Sequence, residues 1–560
     1  MPTGLFLDER RLLHGPWKAF ERDIARLLIA NGYSDVRMVG GSGDRGADVL
    51  GVLNDKLWVF QCKHTTSSNP PAEAVDEVVE AGRFYKGDRL VVATSRPPGP
   101  AILEAKAKYG RMGLNIDLAP PKILLGLMQQ TPEYSKSRRK LHDYQEHASS
   151  RLREALLDTG RGQIVLATGL GKTVVMAEVV ADLYRDNRIE GGQVLIMAHT
   201  RDIIDQLHKS FWFQLPRWVP SHQLSDGEEP AYWDGITFAT VQSVVSRIED
   251  LPKFGLVLID EAHHVGADMY QQVLKLLKPP MLGGVTATPW RGDNYDIDTI
   301  FGPPLVKMGI AEGLQRGFLS EVDYRMYADN LDWEYVQEIS EHRYSISQLN
   351  RRLIIPTRDD QAARLIKETF EQDDRKTGIV FSPTIQHADE MAATLRKYGL
   401  RAESISTDIP PRERDALMSR FKKGGLDILA SVDLFNEGVD VPDVDLIVFM
   451  RATHSRRIFV QQLGRGLRTA PGKDKVIVLD FVTDIRRVAE VIELDKAVRE
   501  GSVEHLGMGH KIVRFNDKSA GGFLREWMLD QASLFLREGD PVLDIPHFDF
   551  PEPIAPGGVQ

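Results

Sequence analysis

The chain reads as an α/β protein: an N-terminal α/β core, two doubly wound parallel-sheet lobes and a small, mostly helical C-terminal region. Three observations predict this. Short apolar strand-like runs alternate with helical periods over 141–310 and again over 376–482, the pattern of a parallel sheet covered by helices on both faces. A glycine-rich turn, Leu166-Ala-Thr-Gly-Leu-Gly-Lys-Thr173, falls between a strand and a helix at the head of the first series. At 560 residues the chain is too long for a single core, so several domains are expected.

The elements follow in order. Residues 16–32 place Phe20, Ile24, Leu27 and Leu28 at helical spacing among charges. A loop at 40–46 leads to a strand at 47–53. Asn54-Asp55 then turns the chain into a second strand at 56–63. A helix at 72–85, a buried strand at 89–95 and a helix at 100–109 complete the first block, 1–130. Residues 131–140 are polar and basic without a period and read as a linker. In the first lobe, 141–310, strands are expected at 163–166, 194–198, 235–239, 255–259 and 283–286. A connecting segment, 311–375, precedes the second lobe, 376–482. The last stretch, 483–560, begins helical and ends extended and proline-rich.

Composition narrows the class. Apolar residues at 42% and charged residues at 27% describe a globular chain. The single cysteine, Cys62, excludes an internal disulfide framework and any C-x-x-C metal pair. Neither a signal-peptide h-region nor an apolar run of about 20 residues is present, so a cytoplasmic, membrane-free protein is expected. The net charge of −10 rules out a uniformly basic coat but leaves room for a local basic groove. Lys136, Arg138, Arg139 and Lys140 read as solvated surface. Arg451, Arg456, Arg457, Arg465 and Arg468 form a later cluster with two members inside a motif.

Two groups of residues carry chemistry. In the glycine-rich turn, Thr168, Gly169 and Gly171 let backbone N–H groups approach phosphates. Lys172 brings charge to the β/γ-phosphates and Thr173 a hydroxyl for Mg2+. About ninety residues on, Val257-Leu-Ile-Asp-Glu-Ala-His263 ends a strand in two carboxylates. Asp260 suits the water shell of Mg2+ and Glu261 the attacking water. His263 reads as a link from the nucleotide to the neighbouring lobe. Towards the N-terminus, Asp48 and the Gln61-x-Lys63 pair meet if the hairpin folds. Gln61 and Lys63 share a strand face and Cys62 takes the other. Glu21 on the first helix can join through a water or a second metal.

The motif series over 141–470 resembles superfamily 2 helicases of the DEAH-like kind, close to the motor subunits of restriction enzymes. That resemblance implies two RecA-like lobes and ATP with Mg2+ as cofactors. It assigns adenine contacts to Tyr144 and Gln145. Ala198-His-Thr-Arg201 with Gln206, and Thr240-Val-Gln-Ser243, become strand contacts. Thr286-Ala-Thr-Pro289 becomes the coupling motif, and Val380-Phe-Ser-Pro383 opens the second lobe. Gly438 and Asp440 belong to Asn436-Glu-Gly-Val-Asp440. Gln461, Arg465 and Arg468 line the helix that reaches ATP from the second lobe.

Residues 15–130 resemble the Mrr-type restriction endonucleases of the PD-(D/E)xK fold, through Phe20-Glu21, Gly43-Asp-Arg-Gly-Ala-Asp48, Val59-Phe-Gln-Cys-Lys63 and Val91-Val-Ala-Thr-Ser95. Gln61 stands where the motif's acid usually is. The resemblance implies catalysis by Asp48, Gln61, Lys63 and Glu21 with Mg2+, or Mn2+, held by Asp48 and Gln61. Together the resemblances imply an ATP-dependent DNA helicase or translocase fused to an endonuclease, in restriction or anti-phage defence. Expected partners are duplex or single-stranded DNA and other defence proteins; oligomeric state stays open. Two alternatives remain at this point: an ATPase switch whose DNA-binding N-terminal domain recruits a separate nuclease, and an RNA helicase.

Overall fold

The computed structural model describes residues 5–39, 46–66, 69–225, 227–287, 296–327, 343–345, 359–382, 384–432, 444–450, 466–467, 473, 475–481 and 542–544. They fall into two compact units, Met1–Leu166 with Gly171–Lys307, and Ala167–Leu170 with Met308–Gln560.

The first unit opens with α1 (Glu9–His14) and α2 (Trp17–Ala30). They are followed by β1 (Ser34–Met38), β2 (Val49–Leu53) and β3 (Lys56–Lys63). Then come α3 (Glu73–Tyr85), β4 (Arg89–Thr94), α4 (Pro100–Arg111), β5 (Ile116–Ala119) and α5 (Pro121–Gln130). The five strands form one sheet in sequence order, antiparallel through β3 and parallel beyond it. Asn54 and Asp55 both have positive φ, 52° and 58°, as a two-residue hairpin turn requires of its central pair. The sheet buries both faces. Phe60, Cys62, Val91 and Ala93 pack with Phe20, Ile24, Leu27 and Leu28 of α2. Leu50, Val59 and Val92 pack with Val75, Val78 and Val79 of α3. The expected helix period at Phe20, Ile24, Leu27 and Leu28 thus marks a true core face. β1 and β5 were not legible, being short edge strands with mixed exposure.

Helix α6 (Asp143–Asp158) leads into a second sheet of order β12-β6-β11-β10-β7-β9-β8. Its members are β6 (Arg161–Leu166), β7 (Gln193–Ala198), β8 (Ser221–Leu224), β9 (Gly235–Thr240), β10 (Leu256–Asp260), β11 (Met281–Thr286) and β12 (Val306–Met308). The pairings from β6 to β8 are parallel, and the central strands are buried almost throughout. All five strands expected in this lobe are present. Between them run α7 (Lys172–Arg185) and α8 (Arg201–Phe211), then α9 (Val241–Ser246) and α10 (Asp268–Leu277).

The two sheets of this unit are joined by more than a linker. Trp212, just past α8, lies within the apolar cluster formed by α2 and the first sheet. Arg22 and Glu228 form a buried two-point ion pair, one arm at 3.1 Å. Arg26 donates to the carbonyls of Val219 (2.8 Å) and Pro216 (3.2 Å). Arg11 reaches Asp234 at 2.7 Å, and His222 approaches the other oxygen of that carboxylate at 2.8 Å. The stretch 131–140 is held too: Arg217 N–H donates to the Glu133 carbonyl, Arg138 pairs with Glu178 at 2.6 Å, and Gln214 brackets the Arg139 backbone. Of the basic cluster there, Lys136, Arg139 and Lys140 are exposed, as expected.

The second unit is built on a six-stranded sheet of order β13-β19-β18-β15-β17-β16. It contains β13 (Glu321–Tyr327), β15 (Gly378–Phe381), β16 (Ala402–Ile405), β17 (Ile428–Ser431), β18 (Leu446–Phe449) and β19 (Lys475–Phe481). Every pairing is parallel. Helices Asp359–Gln372 and Ile385–Lys397 pack Ala362, Ile366, Met391 and Leu395 against it. β14 (Arg343–Ser345) pairs antiparallel with β20 (Val542–Asp544). The predicted helical C-terminal region otherwise lies outside the described residues.

Candidate active sites

The nucleotide-type site starts at the N-terminus of α7. Gly171 caps this helix with φ 79°, and Gly169 has φ 93°, conformations that L side chains rarely adopt. The helix therefore opens immediately after the turn, its free N–H groups directed where an anion binds. A Cβ on Gly171 would sit 2.4 Å from Gln145 Nε2, so the glycine also admits the glutamine side chain. Gln145 is fixed in turn: its Oε1 accepts from His142 N–H at 3.0 Å, and its Nε2 donates to the Tyr144 hydroxyl at 3.2 Å.

The acidic pair closes on the same helix start. Lys172 Nζ lies 3.8 Å from Glu261 Oε1, both side chains being mostly buried. Glu261 is held at φ 49°, a left-handed conformation for a residue with a Cβ, stored where the motif turns out of β10. Asp260 is 6% exposed and takes the Glu261 N–H at 3.0 Å. Burial, and then the charge of Glu261, push the Asp260 carboxyl well above the usual range. A divalent cation with its waters would relieve both penalties, so the donor set fits Mg2+. His263 is wholly buried and meets Thr286 Oγ1 at 2.9 Å. Its link therefore runs to the first residue of the coupling motif; Thr288 and Pro289 lie outside the described residues. Gly438, Asp440, Gln461, Arg465 and Arg468 also lie outside them. Thr200 and Thr240, from the two strand-contact motifs, cap α8 and α9 by accepting from Ile203 and Ser243 N–H groups.

The second site lies at the end of the β2–β3 hairpin. Asp48 N–H donates to the Phe60 carbonyl at 2.9 Å, just before the regular β2–β3 pairing begins at Val49 and Phe60. Asp48 Oδ2 accepts the Cys62 N–H at 2.6 Å. Gln61 is 4% exposed, and its Oε1 has no hydrogen-bond partner. A buried amide oxygen without a donor is costly unless a cation or its water satisfies it, so this site also fits a hard divalent ion. Lys63, on the same strand face, pairs with Glu77 of α3 at 2.7 Å. Sequence reasoning did not single out Glu77. Cys62 points into the α2 cluster as predicted, and burial followed by the charges of Asp48 and Glu21 raises its thiol pKa. Glu21 is 5% exposed on α2, the helix covering the face opposite Gln61 and Lys63, and its charge helps raise the Cys62 thiol pKa. Among the described residues no helix is long and apolar enough to cross a membrane.

Three segments of the chain match known families. Residues 12–119 match the family described as restriction endonuclease, Mrr catalytic type. Residues 138–291 match the res subunit of type III restriction enzymes. Residues 360–470 match the helicase conserved C-terminal domain. The DNA 3'-5' translocase XPB2 of Sulfurisphaera tokodaii is 28% identical over 62% of this chain and 82% of its own. The type I restriction enzyme EcoAI endonuclease subunit of Escherichia coli is 26% identical over 60% of this chain and 45% of its own. Several other curated relatives are spanned over only 51% to 63% of their length. The solved structure of the ATP-dependent type ISP restriction-modification enzyme LlaBIII bound to DNA is 14% identical. It aligns with 93% of this chain and 42% of its own at a TM-score of 0.51, a likeness of fold.

Proposed function

Because the chain belongs to the superfamily 2 helicases of restriction-subunit type and carries an N-terminal Mrr-type restriction endonuclease domain, we propose that it is an ATP-driven DNA translocase that cuts DNA in restriction or anti-phage defence. The observation that carries this reading is the hairpin end: Asp48 accepting the Cys62 N–H, the neighbouring Gln61 with an orphaned buried amide oxygen, and Lys63 on the same strand face as Gln61.

In the motor, the α7 N-terminus and Lys172 bind the β- and γ-phosphates. Thr173 and Asp260 hold Mg2+, and Glu261 orients the attacking water. Mg2+ supplies charge neutralisation on the phosphoryl oxygens when bound. By resemblance, Arg465, Arg468 and Gln461, which lie outside the described residues, would serve the γ-phosphate. By resemblance, Gly438 and Asp440, also outside the described residues, would serve the nucleotide, and Tyr144 with Gln145 would read the adenine. Closure on ATP and reopening after hydrolysis advance the chain along DNA.

In the nuclease, Asp48 and Gln61 position a divalent ion, Mg2+ or Mn2+, and Lys63 sets its charge beside the scissile phosphate. A water oxygen bonds to phosphorus and gives up a proton as the bridging P–O bond breaks, and the leaving oxygen takes up a proton. Glu21 tunes the field from α2. The decisive experiment incubates supercoiled plasmid with the protein, Mg2+ and ATP. Nicked or linear product is expected from wild type and none from Asp48→Ala, with ATPase retained. Circles that stay intact with wild type would favour a switch that recruits another nuclease. ATPase stimulated by RNA and not by DNA would favour an RNA substrate.

A further inference from the structure

The hairpin end brings one carboxylate, Asp48, onto the Cys62 N–H, next to the neutral amide of Gln61 on the same strand. Helix α3 brings another. Glu77 Oε2 lies 2.7 Å from Lys63 Nζ, with side-chain exposures of 40% and 23%. The same residue is clasped from the other side. Gly46, two positions before Asp48, has φ 80°, and a Cβ there would fall 2.3 Å from the Glu77 carbonyl oxygen and 2.4 Å from its Cβ. The strand that delivers Asp48 therefore begins on Glu77, and the strand that delivers Lys63 ends on it. Helix stability does not explain an acid here, since Glu73 and Asp76 already occupy the first turn.

We propose that Glu77 is the second acidic group of the nuclease centre, ligating the divalent ion with Asp48 and Gln61 while its Oε2 holds Lys63. This deepens the nuclease reading and rests on it. An ionised carboxylate has two oxygens and about four acceptor sites, so a lysine and a metal or metal-bound water can share it. The amide of Gln61 offers an oxygen but no charge, so Asp48 and Gln61 alone neutralise half of a divalent ion. Glu77 adds a second carboxylate, whose charge Lys63 at 2.7 Å partly offsets. Among the described residues no three His, Cys, Asp or Glu side chains converge at metal-ligand spacing. A centre of two carboxylates and one amide agrees with that and with Mg2+, which keeps most of its waters. The competing reading is an ordinary surface ion pair that steadies Lys63 and binds nothing.

The test uses the full chain without nucleotide and Mn2+ as the probe, followed by calorimetry or by the loss of the free-ion paramagnetic resonance signal. Glu77→Gln, nearly isosteric, should weaken Mn2+ binding about tenfold or more and slow plasmid cutting in proportion. DNA-stimulated ATPase and the thermal midpoint should stay near wild type. Glu80→Gln, exposed on the same helix, should change neither binding nor cutting. Wild-type Mn2+ affinity in Glu77→Gln overturns the proposal, and slowed cutting at unchanged affinity overturns it in favour of the surface ion pair. The two claims fail separately. If Asp48→Ala loses Mn2+ while Glu77→Gln keeps it, Glu77 is not a ligand but the nuclease reading stands. If Asp48→Ala cuts like wild type, the nuclease reading itself falls.

Discussion

Lys172 and Glu261 already face each other at 3.8 Å, so the nucleotide-type site has its charges in place at the start of α7. On the proposed roles, Lys172→Ala would remove the cation for the phosphates, and Glu261→Gln the group that orients the attacking water. Each should lower DNA-stimulated phosphate release by about a hundredfold or more while plasmid binding without nucleotide persists. Asp23, on α2 among three arginines, carries a different consequence. Burial raises its carboxyl from 3.8 to about 7, more than Arg11, Arg26 and Arg22 lower it. Between about pH 4 and 7 the folded chain therefore holds a proton that the unfolded chain has lost, so stability declines as pH rises across that window. Part of the Asp23 side chain stays accessible, which moderates the effect. Asp23→Asn should flatten the decline and raise the thermal midpoint at pH 8, as a melting series across pH would register.

At the level of elements, α2 serves two surfaces. Its apolar stripe covers the first sheet, Glu21 lies among its buried residues, and Arg22 and Arg26 point into the second sheet's loops. Burial lowers both guanidinium pKa values, to about 10 and about 9, and two-point bonding to Glu228 and the carbonyls of Val219 and Pro216 offsets that cost. Glu228→Ala would leave Arg22 buried without its carboxylate, an expected loss of about 3 kcal/mol. The reciprocal pair Arg22→Glu with Glu228→Arg should recover much of it, in chemical unfolding of the full chain. α8 lies near the same contact, because Asp205 and Arg201 both act on Arg22 electrostatically and Asp205 accepts from Gln223. The start of α8 and helix α2 therefore share one charge network.

Across the whole molecule, legibility followed distance along the chain. The parallel strands, the phosphate turn, the acidic pair and the two-residue hairpin turn all have local causes, and each was expected where it stands. The β2–β3 register from Val49 opposite Phe60 was also legible, because a tight hairpin fixes register. Glu77 was not, since its meaning depends on a lysine from another element and on Gly46 passing beneath the helix. Nor was the packing of Trp212 among the first block's apolar residues, or the grip of Arg22 and Arg26 on residues about two hundred positions away. Side chains that look like ordinary helix charge become partners only when a distant loop arrives. That grip sets the terms for rebuilding such proteins. Transplanting this cutting head onto a foreign engine, joined at residue 140, would strand two guanidinium groups in a seam cut for other side chains. A working graft would have to carry the receiving stretch, roughly 205–234, together with the head.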